Sequence, residues 1–138
     1  MSGTVARRPR VYIPGRKLLT GLPIVALLVV GGADLASVAL VKVSVPDNAN
    51  EAARAGVMAV DGRDMATPRT AETAYNAANA VADLHRMTID PQTFTVYADG
   101  SVELTAHRSA PTMLFKHIPG LKTLTDATVS VRVSRPDW

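Results

Sequence analysis

The 138-residue chain contains no cysteine, which excludes disulfides, thiolate nucleophiles and Cys-based zinc sites. Aromatic residues make up only 4% of it, too few for the stacking platforms that bind single-stranded nucleic acids. Its three histidines, His85, His107 and His117, fall in separate segments with no paired ligand spacing, so no metal is expected. Catalytic signatures are missing as well: no Gly-x-Ser-x-Gly, phosphate-binding loop or dinucleotide fingerprint occurs. Asp61 and Asp64 flank Gly62, but the further acidic ligands of a calcium loop are absent, and turn chemistry accounts for the pair. Scattered Ser, His and Asp define no triad. The expectation is a chain that is not an enzyme and takes no cofactor, metal or small-molecule substrate.

Negative charge is also missing where positive charge is dense. Arg7, Arg8, Arg10, Arg16 and Lys17 come before any acidic residue, and an apolar stretch from Leu18 to Val45 follows, interrupted only by Asp34 and Lys42. The formal charge is +3 and the pI about 9.6. Setting the five leading cations aside leaves ten of the fifteen Lys and Arg, against twelve Asp and Glu. The remainder is slightly acidic, so nucleic acid is not an expected partner. A helix needs about 20 predominantly apolar residues to cross a bilayer, and a flanking cationic cluster stays on the cytoplasmic side. The expected organisation is a basic cytoplasmic N-terminus over 1–17, a single transmembrane anchor over 18–45 in the cytoplasmic membrane, and an extracytoplasmic domain over 46–138. The roughly 90 residues after the anchor suffice for one small core.

Pro23 suits the first turn of the anchor helix, which is expected from about Leu22 through Gly31-Gly32-Ala33-Asp34 to Leu40-Val41. Lys17 and Lys42 bracket a stretch about 36 Å long at 1.5 Å per residue, and both can reach the headgroups. Asp34 falls in the outer half of the membrane, where a carboxylate costs up to about 2.5–3.5 kcal/mol. It is expected either to be hydrated near the outer surface or to pair with a cation on a partner membrane protein, which makes it a candidate contact. A cleaved signal peptide is the alternative, since small residues follow the apolar run at Gly31-Gly32-Ala33 and Ser37-Val38-Ala39. Cleavage would release a secreted soluble domain that binds a ligand or partner protein. The apolar pattern continues past both sites to Val45, which favours the anchor.

Pro46 disfavours helical geometry at Val45, so the helix is expected to kink or restart there, with Ser44 and Asp47 loosely fitting a capping box. Ala49, Ala52, Ala53, Gly56, Val57 and Val60 then recur at helical spacing, a small-residue stripe suited to close packing against another helix or a sheet. After a loop at Asp61–Asp64, Thr67 is the expected N-cap of a second helix with Pro68 at its first position. Ala71, Ala74, Tyr75, Ala78, Val81, Ala82 and His85 mark its packed stripe. The period then becomes alternating. Phe94, Val96 and Ala98 share one strand face, and Asp99-Gly100 reads as a two-residue hairpin turn. A return strand follows from Ser101 to about Arg108, and a last one over Ala127–Val133. Pro111–Leu124 reads as a loop or short helix broken at Pro119-Gly120. The expected fold is α+β: a transmembrane helix with a kinked alanine-rich continuation, a second helix, and a three-stranded antiparallel sheet in a two-layer domain.

In this order of elements the chain resembles the TadE/TadG-like proteins of tight-adherence (Flp-type) pilus systems. Leu28-Val29-Val30-Gly31-Gly32-Ala33-Asp34-Leu35 is similar to the family's apolar run ending in Gly-x-x-Asp-Phe. Asn48-Ala49-Asn50-Glu51-Ala52-Ala53-Arg54-Ala55-Gly56 resembles its Asn-Ala-Ala-Asp-Ala-Ala-rich segment. Ala110-Pro111-Thr112-Met113-Leu114-Phe115, with Ile118-Pro119-Gly120-Leu121, looks like its Pro-Thr-x-Phe element before a final strand. The resemblance implies a pilin-like envelope protein with pilus or secretion-system membrane proteins as partners. The Glu that follows Gly at the head of pilin-like precursors is absent after Gly15 and Gly21, which implies an accessory component held in the membrane rather than a major filament subunit.

Overall fold

The computed structural model describes residues 15–136, with side chains from residue 21 onward. Arg7, Arg8 and Arg10, the side chains of Arg16 and Lys17, and the last two residues of the tail lie outside the described residues. Helix α1 (Gly15–Ala59) runs through Pro23 and Pro46 without a break, so the restart expected at Pro46 does not occur. Proline supplies no N–H to the preceding turn. The Asn50 side-chain amide donates back to the Pro46 carbonyl at 3.0 Å. Ser44 Oγ donates to the Val41 carbonyl at 3.3 Å instead of capping a new helix with Asp47. Burial of Val45 and Ala49 on either side of Pro46 holds the helix in place across the gap in its hydrogen bonding.

The surroundings of α1 change along its length. Every residue from Leu22 to Val29 is exposed. From Asp34 onward one face is buried, through Val38, Val41, Val45, Ala49 and Ala52; steps of three and four keep these residues on one side of a helix. Val38, Val41 and Val45 therefore belong to the domain core. These residues fall within the stretch that the sequence alone places in the anchor.

Helix α2 (Pro68–Leu84) has Thr67 at its N-cap position and proline in the first turn. The Thr67 hydroxyl makes no cap; it lies 2.8 Å from Thr70 Oγ and donates to the Asp64 carbonyl at 3.3 Å. Thr70, Ala74, Ala78 and Ala82 are its buried face, whereas Ala71 is exposed. At its C-terminus Met87 N–H donates to the Ala82 carbonyl and Arg86 N–H to that of Asp83. This is a Schellman closure, with Arg86 at φ 55° where glycine is usual.

The sheet has four strands, one more than expected. β3 (Val102–Ser109) is central and pairs along its whole length with β4 (Asp126–Val133). Two short strands, β1 (Thr88–Ile89) and β2 (Thr95–Val96), pair antiparallel with β3 on its other edge. Asp90-Pro91 divides that edge, because Asp90 organises a turn: its carboxylate accepts Gln92 N–H at 2.9 Å and its carbonyl accepts Thr93 N–H at 3.2 Å. The hairpin after β2 also differs from expectation. Gly100 has φ 80° but Asp99 is not left-handed. Gly100 N–H donates to Tyr97 O, and Tyr97 N–H to Ser101 O. The loop is thus Ala98-Asp99-Gly100, a three-residue turn closed by glycine. Both helices cover one face of the sheet, where Ile89, Val102, Leu104 and Ala106 are buried. Thr128, Ser130 and Arg132 point out on the other.

Candidate functional site

The small-residue stripe of α1 is spent inside the chain. Ala49, Ala52, Ala53, Gly56, Val57 and Val60 are all buried, against α2 and β3. Gly56 marks the closest approach: a Cβ there would lie 3.2 Å from the Ala74 carbonyl oxygen and 3.5 Å from Val102 Cγ1. Glycine lets the two helices meet at this distance. The stripe therefore offers nothing to a partner protein.

Asp34 is the polar residue of the apolar helix whose placement was hardest to foresee. Its side chain is 3% exposed. One carboxylate oxygen accepts Met113 N–H at 2.8 Å; the other accepts Leu114 N–H at 2.7 Å and Phe115 N–H at 2.9 Å. These amides open the short 3-10 turn Phe115–His117, and such groups have no partner within their own turn. An ionised carboxylate only accepts hydrogen bonds, so three converging donors match it. Asp34 thus finds three hydrogen-bond partners within the chain and lies almost wholly out of contact with solvent. The contact joins residues 79 to 81 positions apart, and it pins the segment between β3 and β4 to α1 where the buried face begins. Phe115, itself buried, packs into the same core as Val38 and Val41.

A second polar cluster closes the hairpin at the far end. Arg132 lies over the Tyr97 ring, 3.8 Å from its centroid, and donates to Ser101 Oγ at 3.1 and 3.2 Å. Tyr97 donates to Glu103 at 2.6 Å, and this bond pushes the phenol pKa above its ordinary value. Ser101 donates its hydroxyl at 2.6 Å and its amide at 2.9 Å to Asp99, which holds that carboxyl below the usual carboxylate range. Each group is used by its neighbours, so the cluster locks β2, β3 and β4 together.

The remaining polar residues are dispersed. His85 sits 3.0 Å from Glu51, linking α2 to α1, while His107 and His117 are exposed on other elements. Asp61 pairs with Arg135, and Asp64 accepts Ala66 N–H at 2.9 Å in the loop before α2. Among the described residues no group of three His, Asp or Glu could hold a metal ion. No protein-family model matches the chain, and no curated protein or solved structure matches it either.

Proposed function

We propose that this chain is a membrane-anchored, pilin-like envelope protein, an accessory or minor component of a tight-adherence (Flp-type) pilus or a related secretion system. It acts through protein–protein contacts rather than catalysis, with its N-terminus in the cytoplasm and its domain outside. α1 is long and apolar enough to cross a membrane. Between the leading cations and Asp34 the helix runs 16 residues, 18–33, about 24 Å at 1.5 Å per residue, and Lys17 reaching to the headgroups extends it toward a hydrocarbon core of about 30 Å. Two of the segments that resemble the pilus family, the end of the apolar run and the Pro111-Thr112 element, meet at Asp34.

The observation that carries the reading is the outward face of α1 just beyond the span. Leu35, Leu40 and Val43 are 60%, 69% and 73% exposed, and Gly32, Ala36 and Ala39 lie exposed among them. An apolar helix face interleaved with small residues suits close helix–helix packing beside a membrane. This face, and not the buried Ala49–Val60 stripe, is the one available to a neighbour.

A photo-crosslinking residue in place of Leu40, in native membranes, should capture a pilus or secretion-system membrane protein, and one in place of Ala53 should not. The chain should resist alkaline extraction and keep residues 1–17 by mass. A mature start near Asp34 or Leu40 in the medium, or crosslinks to no assembly component, would sink the proposal.

A further inference from the structure

The connection from β3 to β4 carries an outer surface that the core does not explain. Its position follows from three contacts. Ser109 and Asp126 pair at one end of the β3–β4 ladder, and that end lies beside Lys42, Val45 and Pro46 of α1. The opposite end, at Val133, lies beside Arg54, Val57 and Met58. Met113, Leu114 and Phe115 reach lower still, to Asp34. Residues 110–125 are therefore the end of the domain nearest the bare helix. The far end of α1, at Ala59, is about 38 Å higher at 1.5 Å per residue.

The chemistry of this end is apolar and net basic. Met113, Ile118 and Leu124 are 75%, 37% and 44% exposed, and Lys116 and Lys122 are exposed beside them. No acidic residue occurs from Ala110 through Thr125. The two lysines and Met113 border one open depression, at whose rim Asp126 accepts the Ser109 hydroxyl at 2.5 Å, so two cations face one carboxylate.

We propose that residues 113–124 form a foot that rests on the headgroup layer of an anionic phospholipid bilayer. Met113, Ile118 and Leu124 enter the interface, and Lys116 and Lys122 lie against lipid phosphates. This rests on the reading that residues 18–33 cross the membrane, which puts Asp34 at the hydrocarbon boundary and the foot level with the headgroups. Apolar side chains flanked by lysine are what an interfacial element needs, and cations close to an anionic leaflet are attracted to it. The Asp34 hydrogen bonds hold the foot in shape before it meets lipid, so little further ordering opposes the contact.

Because the chain has no cysteine, single probes can be placed in the full protein reconstituted in phosphatidylglycerol–phosphatidylcholine vesicles. A fluorophore on Ile118→Cys or Leu124→Cys should be quenched by headgroup-labelled lipid, while one on Arg63→Cys, at the far end, should not. Labelled phosphatidylglycerol should quench the foot several-fold better than labelled phosphatidylcholine. Lys116→Gln combined with Lys122→Gln should abolish that preference, bringing the two labelled lipids to equal quenching. Quenching at the foot no greater than at residue 63, or no preference for the anionic probe, overturns the foot while the chain still resists alkaline extraction. A chain stripped by alkali overturns the spanning helix itself, and this placement of the foot with it.

Discussion

Residues 21–33 and 34–59 belong to one continuous helix, yet they meet different surroundings. No residue of the lower section is buried, and Gly31 and Gly32 have open space where a Cβ would stand. The upper section is buried on one face down to 0% exposure at Ala49, Ala52 and Ala53, and at Gly56 the open space is gone. Two things distinguish the sections: charged and other polar side chains, which begin only at Asp34, and the angular distribution of the apolar ones. A helix that is apolar on every side suits lipid, and one that is apolar on one stripe suits a domain core. Asp34 sits at the change, using its carboxylate to tie the domain's lowest loop to the helix.

The sharpest way to break this comparison is to place an arginine in each section. Ala53→Arg forces an unpaired cation into the alanine-packed core, at a cost of several kcal/mol, comparable to the whole stability of a small domain. The domain should lose its cooperative melting transition. Leu28→Arg should leave that transition unmoved but weaken membrane insertion by roughly 100-fold, from about 2.5–3.5 kcal/mol near the centre of a span. Circular dichroism melting and an alkaline-extraction assay read the two outcomes. A melting change with Leu28→Arg would show that the sections are not independent.

Asp34 tests the junction. Asp34→Ala leaves the amides of Met113, Leu114 and Phe115 without their acceptor, and hydrogen bonds to a charged group are among the stronger ones. Hydrogen exchange at these amides should accelerate by at least about tenfold, while β3 and α2 keep their protection. Unchanged exchange at 113–115 would mean that Phe115 packing alone holds the loop.

How far the sequence alone reaches depends on the kind of contact. Periodicity marks α2, β3 and β4 because each shows its buried face in its own residues. It misses β1, where Thr88–Ile89 is too short to show a period. The Asp34 junction is harder, because its partners are backbone amides about 80 positions away, and every residue but proline carries one. One signal was available: Asp34, Val38, Val41, Val45, Ala49 and Ala52 follow one helical stripe, so the carboxylate points where the core points. The membrane boundary is obscured by Leu35, Leu40 and Val43, which are apolar but lie on the uncovered side.

A smaller effect separates the glycines. Gly56→Val brings side-chain atoms against the Ala74 carbonyl and Val102, where space is already short, and overpacking of this kind costs about 2 kcal/mol. Gly32→Val meets nothing within the chain and should leave the domain's melting unchanged. If Gly32→Val instead lowers crosslinking from Leu40, the glycine serves a neighbouring helix, which is the proposed use of that face.

The smallest expected change is a gain, and it asks whether the upper section's stability is set by the domain alone. Arg86 ends α2 at φ 55°, a conformation that costs a residue with a side chain about 1–2 kcal/mol. Its amide and that of Met87 close the helix on Asp83 and Ala82, so the backbone cannot relax without losing both bonds. Glycine adopts this geometry freely, although its looser unfolded chain takes back about 0.4–1 kcal/mol. Arg86→Gly should therefore stabilise the domain by about 0.5–1 kcal/mol, raising Tm by a few degrees for a domain of about 100 residues. Because Arg86 is exposed, its loss removes no packing that would offset the gain. Alkaline extraction should not change, since the bare helix gains nothing from a better-closed α2. A rise in Tm with unaltered extraction places the two sections under separate control. A fall in Tm would mean that the arginine side chain contributes more than its backbone costs.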